Sequence, residues 1–197
     1  MKTLLYIHGF MSGSNGTKSK QLSKKFKNIY NVITPELTAD PDSSIEIINK
    51  YIDEYKPDII VGTSLGGFMS LMCNNTGCNI YLCNPCLYPQ KELSQWLNSK
   101  QTYFCERLDG VQTYTLTNET LQKYTNYDTI SEILKNKDNI YAVCSTCDDI
   151  IGDTHYKTLS NILNNDHLIV SDEFGHQCNG KGYNYLTDLI KKIEGIE

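Results

Sequence analysis

The sequence has no basic block dense enough to neutralise a phosphate backbone. Its formal net charge is -5, and its densest lysine stretch, Lys18 to Lys27, has the make-up of a solvated helix face. Nucleic acid is therefore not an expected partner. Long apolar runs are missing too. The opening Leu4-Leu5-Tyr6-Ile7 stops at His8-Gly9, too short for the core of an export signal, and no segment reaches membrane-spanning length. A membrane is not an expected partner, and a cytoplasmic location is the default. There is no internal repeat, interdomain linker or low-complexity tract, so the 197 residues are read as one domain, 1–197.

Cysteine, by contrast, is plentiful. There are eight, and without an export signal the expected state is reduced thiols, a disulfide scaffold being the second reading. Cys83-Asn84-Pro85-Cys86 and Cys144-Ser145-Thr146-Cys147 form two C-x-x-C pairs at the ends of strands expected to be neighbours. Four thiols so placed could hold zinc or act as a redox pair. The pairs lie much further apart than in compact zinc ribbons, however, and burial as small hydrophobes is the expected role. No metal and no cofactor are expected.

Apolar residues make up 40% of the chain, enough for a packed core. Short runs rich in Tyr, Ile and Val have the length of buried strands: 3–8, 31–34, 58–62, 79–83, 139–144 and 167–171. Most lack strict alternation, as strands covered on both faces do. Between them, 43–55, 65–74, 154–163 and 183–193 read as helices. In the first of these Ile45, Ile48 and Ile52 fall on one stripe, with Ser44 as a candidate cap and Pro57 at the exit. Strand and helix in repeated alternation predict an α/β fold with a mostly parallel sheet of about six strands and helices on both faces. Residues 86–138 are too long for one crossover and rich in Tyr; they are read as a lid-like insertion with weak helical pattern at 91–98 and 118–134.

The strongest motif is Gly62-Thr63-Ser64-Leu65-Gly66, placed between an apolar strand and a helix. A serine on so sharp a turn sits in a strained backbone, and glycine two residues to either side avoids collision. The helix that follows aims its first N–H groups at the place where an oxyanion would form. Ser64 is thus the expected nucleophile. His8-Gly9-Phe10 ends the first strand, and the backbone N–H of Phe10 joins that of Leu65 as an expected oxyanion donor. His8 itself is read as scaffold beneath the site. His176, on a loop after the last strand, is the expected general base, whereas His155 and His167 read as structural. Asp148 and Asp149 follow the strand 139–144, and a carboxylate there can orient an imidazole. Trp96 and Tyr103 of the insertion are expected to line the substrate wall.

Together these residues resemble the YqiA-like family of small bacterial α/β-hydrolase esterases. The similarity lies in Leu4 to Phe10, the Gly62 to Gly67 elbow, Asn84-Pro85, the turn from Thr146 to Ile151 and Gly175-His176. It implies the α/β-hydrolase fold, a metal-free serine esterase and Asp148 as the acid. Cysteine at 147 and the long insertion depart from the family pattern. The expected reaction is hydrolysis of a small-molecule carboxylic ester or thioester by way of an acyl-enzyme. The same three residues would equally serve an acyltransferase, and the fold alone would serve a non-catalytic binding module.

Overall fold

The computed structural model describes residues 1–74 and 77–196. In chain order the elements are β1 (Lys2–Ile7), α1 (Thr17–Lys25), β2 (Tyr30–Ile33), α2 (Pro41–Tyr55), β3 (Ile59–Thr63), α3 (Leu65–Met72) and β4 (Asn79–Cys83). The insertion adds α4 (Pro89–Glu92), β5 (Lys100–Thr102), β6 (Thr113–Thr115), α5 (Asn118–Lys123) and α6 (Thr129–Asn136). β7 (Ile140–Ser145), α7 (Thr154–Ser160), β8 (Leu168–Ser171) and α8 (Lys181–Glu194) follow.

Each of the six expected strands forms, and they pair in the order β2-β1-β3-β4-β7-β8, parallel throughout. Side chains of one strand alternate between two cores. On one face Leu5, Ile60 and Leu82 meet Ile48 and Ile52 of α2, Phe68 of α3 and Ile133 of α6. On the other, Leu4, Val61 and Tyr81 meet Leu22 of α1 and Leu186 and Ile190 of α8. Full burial of one such aliphatic side chain stabilises the fold by roughly 1.5–3 kcal/mol, which explains why these strands are apolar on both faces.

Two local expectations are corrected. The cap of α2 is Asp40, whose carboxylate accepts the Ser43 N–H at 3.0 Å, and not Ser44. Pro41 sets the start, since it lacks an N–H that the first turn does not need. Ser44 lies inside the first turn and donates to the Thr38 carbonyl at 2.9 Å. The insertion, expected to be only weakly helical, also contains an antiparallel hairpin of β5 and β6. Its tip reaches back to the loop after β1, where the Phe104 N–H donates to the Met11 carbonyl at 2.9 Å.

Candidate active site

The sheet carries the site at the carboxyl ends of β1, β3, β4 and β7 and in the loop after β8. Ser64 stands between β3 and α3 with φ 53 and ψ -123, a conformation that costs a non-glycine residue about 1–3 kcal/mol. Its backbone is pinned on both sides. The Ser64 N–H donates to the Cys83 carbonyl at 3.0 Å, and its own carbonyl accepts from Gly67 at 2.8 Å and Cys86 at 3.0 Å. A Cβ on Gly62 would strike Ser70 Oγ and lie 2.7 Å from the Gly66 carbonyl oxygen. On Gly66 it would strike the Ile7 carbonyl, so the end of β1 can close on the elbow only over a glycine.

Ser64, His176 and Asp148 are brought together. His176 Nε2 lies 3.0 Å from Ser64 Oγ, and His176 Nδ1 lies 2.8 and 3.0 Å from the two Asp148 oxygens. Asp148 also accepts the Ile150 and Ile151 N–H groups, each at 3.0 Å. Burial alone would push its carboxyl up. The hydrogen bond and charge of His176, with those two N–H groups, outweigh burial and hold it below the ordinary carboxylate range. A carboxylate fixed on Nδ1 leaves Nε2 as the nitrogen that can accept a proton from Ser64. Asp149 is exposed, with Oδ1 beside Gly175, and α7 is preceded by Asp153 with no side-chain cap.

Leu65 is the first residue of α3, so its N–H has no acceptor within the helix. Phe10 follows Gly9, whose Cβ, were there one, would lie 3.2 Å from that of Ser64. Both expected oxyanion donors thus sit on segments packed about the hydroxyl. Two cavities meet at Ser64 and His176. One, of about 330 Å³, is bordered by Lys18, Thr17, Ser12 and Asn179; the other, of about 100 Å³, by Trp96, Leu93, Ile150 and Ile151. Trp96, its ring tilted against that of Phe10 with centroids 5.4 Å apart, borders the smaller cavity.

Tyr103 is a correction. Its ring is buried under the guanidinium of Arg107, 4.2 Å away, and lines a narrow recess with His8 and Leu37 instead of the cavities at Ser64. Arg107, the only arginine in the sequence, was not recognisable as part of this region. It bonds the Leu37 carbonyl at 2.7 Å and Glu36 at 3.1 Å, while Glu36 accepts from Ser14. The hairpin tip, the exit of β2 and the loop after β1 are thereby tied together.

His8 is buried, donating from Nδ1 to the Gly9 carbonyl at 3.0 Å and accepting the Leu37 N–H on Nε2 at 3.3 Å. Burial dominates and lowers its pKa from 6.5 to about 4, so it is neutral at pH 7. The unfolded chain takes up this proton first on acidification. Stability is therefore lost as pH falls from 6.5 towards 4, by up to about 3 kcal/mol from this group. Melting curves across that range should fall more steeply for the wild type than for His8→Gln; equal slopes would refute the assignment.

The thiols differ from expectation. Cys83 and Cys178, 95 residues apart, form a disulfide, so these two are not reduced. Cys86 and Cys144 are buried and Cys147 is exposed. β4 and β7 are neighbours as expected, yet among the described residues no group of three or more His, Cys, Asp or Glu is arranged to hold a metal. Lys18 also departs from the solvated helix face: Nζ donates to the Gln177 and Cys178 carbonyls at 3.0 and 2.6 Å and to Asn179 at 3.3 Å. Among the described residues no helix is long and apolar enough to cross a membrane.

A parallel sheet with a serine on the turn after β3, an acid after β7 and a histidine after β8 defines the α/β-hydrolase fold. Solved structures of that fold match nearly the whole chain. Est1E from Butyrivibrio proteoclasticus does so with a TM-score of 0.74 at 12% identity, over 98% of this chain and 87% of that one. The esterase domain of a Rhodothermus marinus protein gives 0.67 at 16% identity, over 97% and 84%. For the meta-cleavage product hydrolase of Pseudomonas fluorescens IP01 the values are 0.68 and 11%, over 99% and 91%. At such identities the likeness is one of fold. The chain belongs to an uncharacterised protein family, UPF0227, whose model matches residues 3–191 and with which the YqiA-like resemblance agrees.

Proposed function

We propose that this chain is a serine esterase that cleaves carboxylic esters or thioesters of small acyl groups through an acyl-enzyme on Ser64. The observation that carries the reading is the 3.0 Å approach of His176 Nε2 to Ser64 Oγ, with Nδ1 turned to Asp148. Neutral His176 takes the hydroxyl proton as Ser64 Oγ bonds to the carbonyl carbon, and Asp148 stabilises the imidazolium that results. The oxyanion is met by the N–H groups of Phe10 and Leu65. On collapse the acyl–oxygen or acyl–sulfur bond breaks, and His176 returns the proton to the leaving alcohol or thiol. Water then repeats the sequence and frees the acid and Ser64.

The smaller cavity, about 100 Å³ and bordered by Trp96, Leu93 and two isoleucines, supports a short apolar acyl group. A similar fold that is itself named as an esterase domain supports the bond class. The proposed setting is cytoplasmic, where burial of Cys83 and Cys178 shields their disulfide from soluble thiols.

A fluorophosphonate tests the reading. The wild type is expected to gain one phosphonyl group on the peptide that holds Ser64 and to lose hydrolysis of small activated esters in parallel. Ser64→Ala is expected to do neither. Folded wild type that stays unlabelled overturns the proposal.

A further inference from the structure

We propose that Asn84 is a positioning residue that sets His176 against both Ser64 and Asp148; this rests on the esterase reading above. Asn84 follows β4, is fully buried and has φ 42, in the region that asparagine tolerates better than most side chains. Its amide nitrogen donates to the carbonyls of Gly175 and of His176 itself, at 3.1 and 3.0 Å. Its amide oxygen accepts the Ser145 N–H at 2.7 Å and His155 Nε2 at 3.3 Å. An asparagine amide has two donor hydrogens and two acceptor lone pairs, and here all four are engaged. The backbone partners fix which end is nitrogen, so the orientation is not arbitrary.

Those four bonds join the carriers of His176 and Asp148, and the chain on either side of Asn84 holds that of Ser64. Gly175 and His176 belong to the base loop. Ser145 ends β7, three residues before Asp148, and its N–H hangs on the Asn84 oxygen. The preceding residue, Cys83, accepts the Ser64 N–H, and Cys86 donates to the Ser64 carbonyl. One buried amide thus sets base loop and acid turn in a common register, and the backbone beside it ties both to the nucleophile elbow. A shift of about 1 Å at a reacting group is enough to slow chemistry roughly 100-fold.

The loop also has other anchors. Lys18 holds the carbonyls of Gln177 and Cys178, and Cys178 is bonded to Cys83. Loss of the Asn84 donors should therefore disturb where His176 points without releasing the loop. Asn84→Asp keeps the shape and the acceptor for Ser145, but sets a carboxylate oxygen against two carbonyls.

The test is a double-mutant cycle on a small activated ester, with fluorophosphonate labelling in parallel. For Asn84→Asp, kcat should fall about 100-fold with KM within about threefold of the wild type, and labelling should slow by the same factor. In the His176→Ala background, where no base remains to be positioned, the same change should cost less than about threefold. Ile48→Ala, in the core of α2, gives the kinetic effect of destabilisation alone. Should Asn84→Asp fail to fold, Asn84→Gly, which keeps the positive φ and removes the donors, carries the same expectation. Wild type without hydrolysis or labelling would refute the esterase reading. An active wild type with an equally active Asn84 variant, or an equal loss in both backgrounds, would refute the positioning role alone.

Discussion

Asp148→Asn is expected to lower turnover of an activated ester by about four orders of magnitude, the size of the effect when a triad carboxylate becomes an amide in a serine protease. The cause is the tautomer. An amide turned towards His176 Nδ1 can offer an N–H there, which makes Nδ1 the acceptor and puts the imidazole hydrogen on Nε2. A protonated Nε2 cannot take the Ser64 proton across the 3.0 Å gap. The remaining amide oxygen can still accept the Ile150 and Ile151 N–H groups, so the turn should persist. Asp149, exposed and beside Gly175, has no such contact with the ring, and Asp149→Asn should change both rate and melting temperature little.

Stability supplies an independent check. The Asp148 carboxyl is held below its ordinary value in the fold, so it stabilises above the unfolded value and loses that contribution as pH falls through the folded one. Wild type should therefore outlast Asp148→Asn near neutrality, and the gap should close in acid. A dead but well-folded Asp149→Asn beside an active Asp148→Asn would move the acid by one residue.

The sheet was legible because its evidence is local. Runs such as Ile59-Ile60-Val61 are apolar on both faces, and burial on both faces of a parallel sheet is what such runs produce. The elbow was legible partly for the same reason, since Gly62 answers to collisions with Gly66, Gly67 and Ser70, whereas the Ile7 and His8 carbonyls that require Gly66 come from the end of β1 and show only in the fold. What stayed hidden depends on distant partners. Nothing in the spacing of eight cysteines distinguishes Cys83 and Cys178 as a pair, because their proximity exists only once β4 and the loop after β8 have been placed. Lys18 looks like any lysine on a polar helix until three acceptors from residues 177–179 are brought to it. Arg107 and Tyr103 sit on a hairpin with three residues per strand, too short for an alternation to be read. The Asn84 amide was visible as part of a motif, while its four bonds span up to 92 residues of chain.

Cleaving the Cys83–Cys178 bond should lower stability by about 4.7 kcal/mol, since a crosslink closing a loop of this length removes that much chain entropy from the unfolded state. Its effect on turnover should be small by comparison. In the fold, Lys18 and Asn84 hold residues 175–179 by five further hydrogen bonds, so the loop does not depend on the sulfur bridge for its place. Both cysteines are 1% exposed, so a mild reductant should reach the bond only through local opening or global unfolding. Denaturant unfolding separates the two effects. The oxidised wild type should unfold at a clearly higher midpoint than Cys83→Ala, Cys178→Ala or the wild type held in reductant, and those three should nearly coincide. Other thiols, among them Cys86, Cys144 and Cys147, can attack the disulfide once the chain opens, so the oxidised curve must be taken in an excess of alkylating agent that caps each thiol as it is exposed. The alkyl group should be absent from Cys83 and Cys178 by peptide mass. Coincident midpoints for oxidised and reduced wild type would show that the bond constrains nothing. A variant that remained as stable as the wild type yet lost its turnover would instead make the bridge a determinant of where His176 stands, and Lys18 and Asn84 insufficient without it.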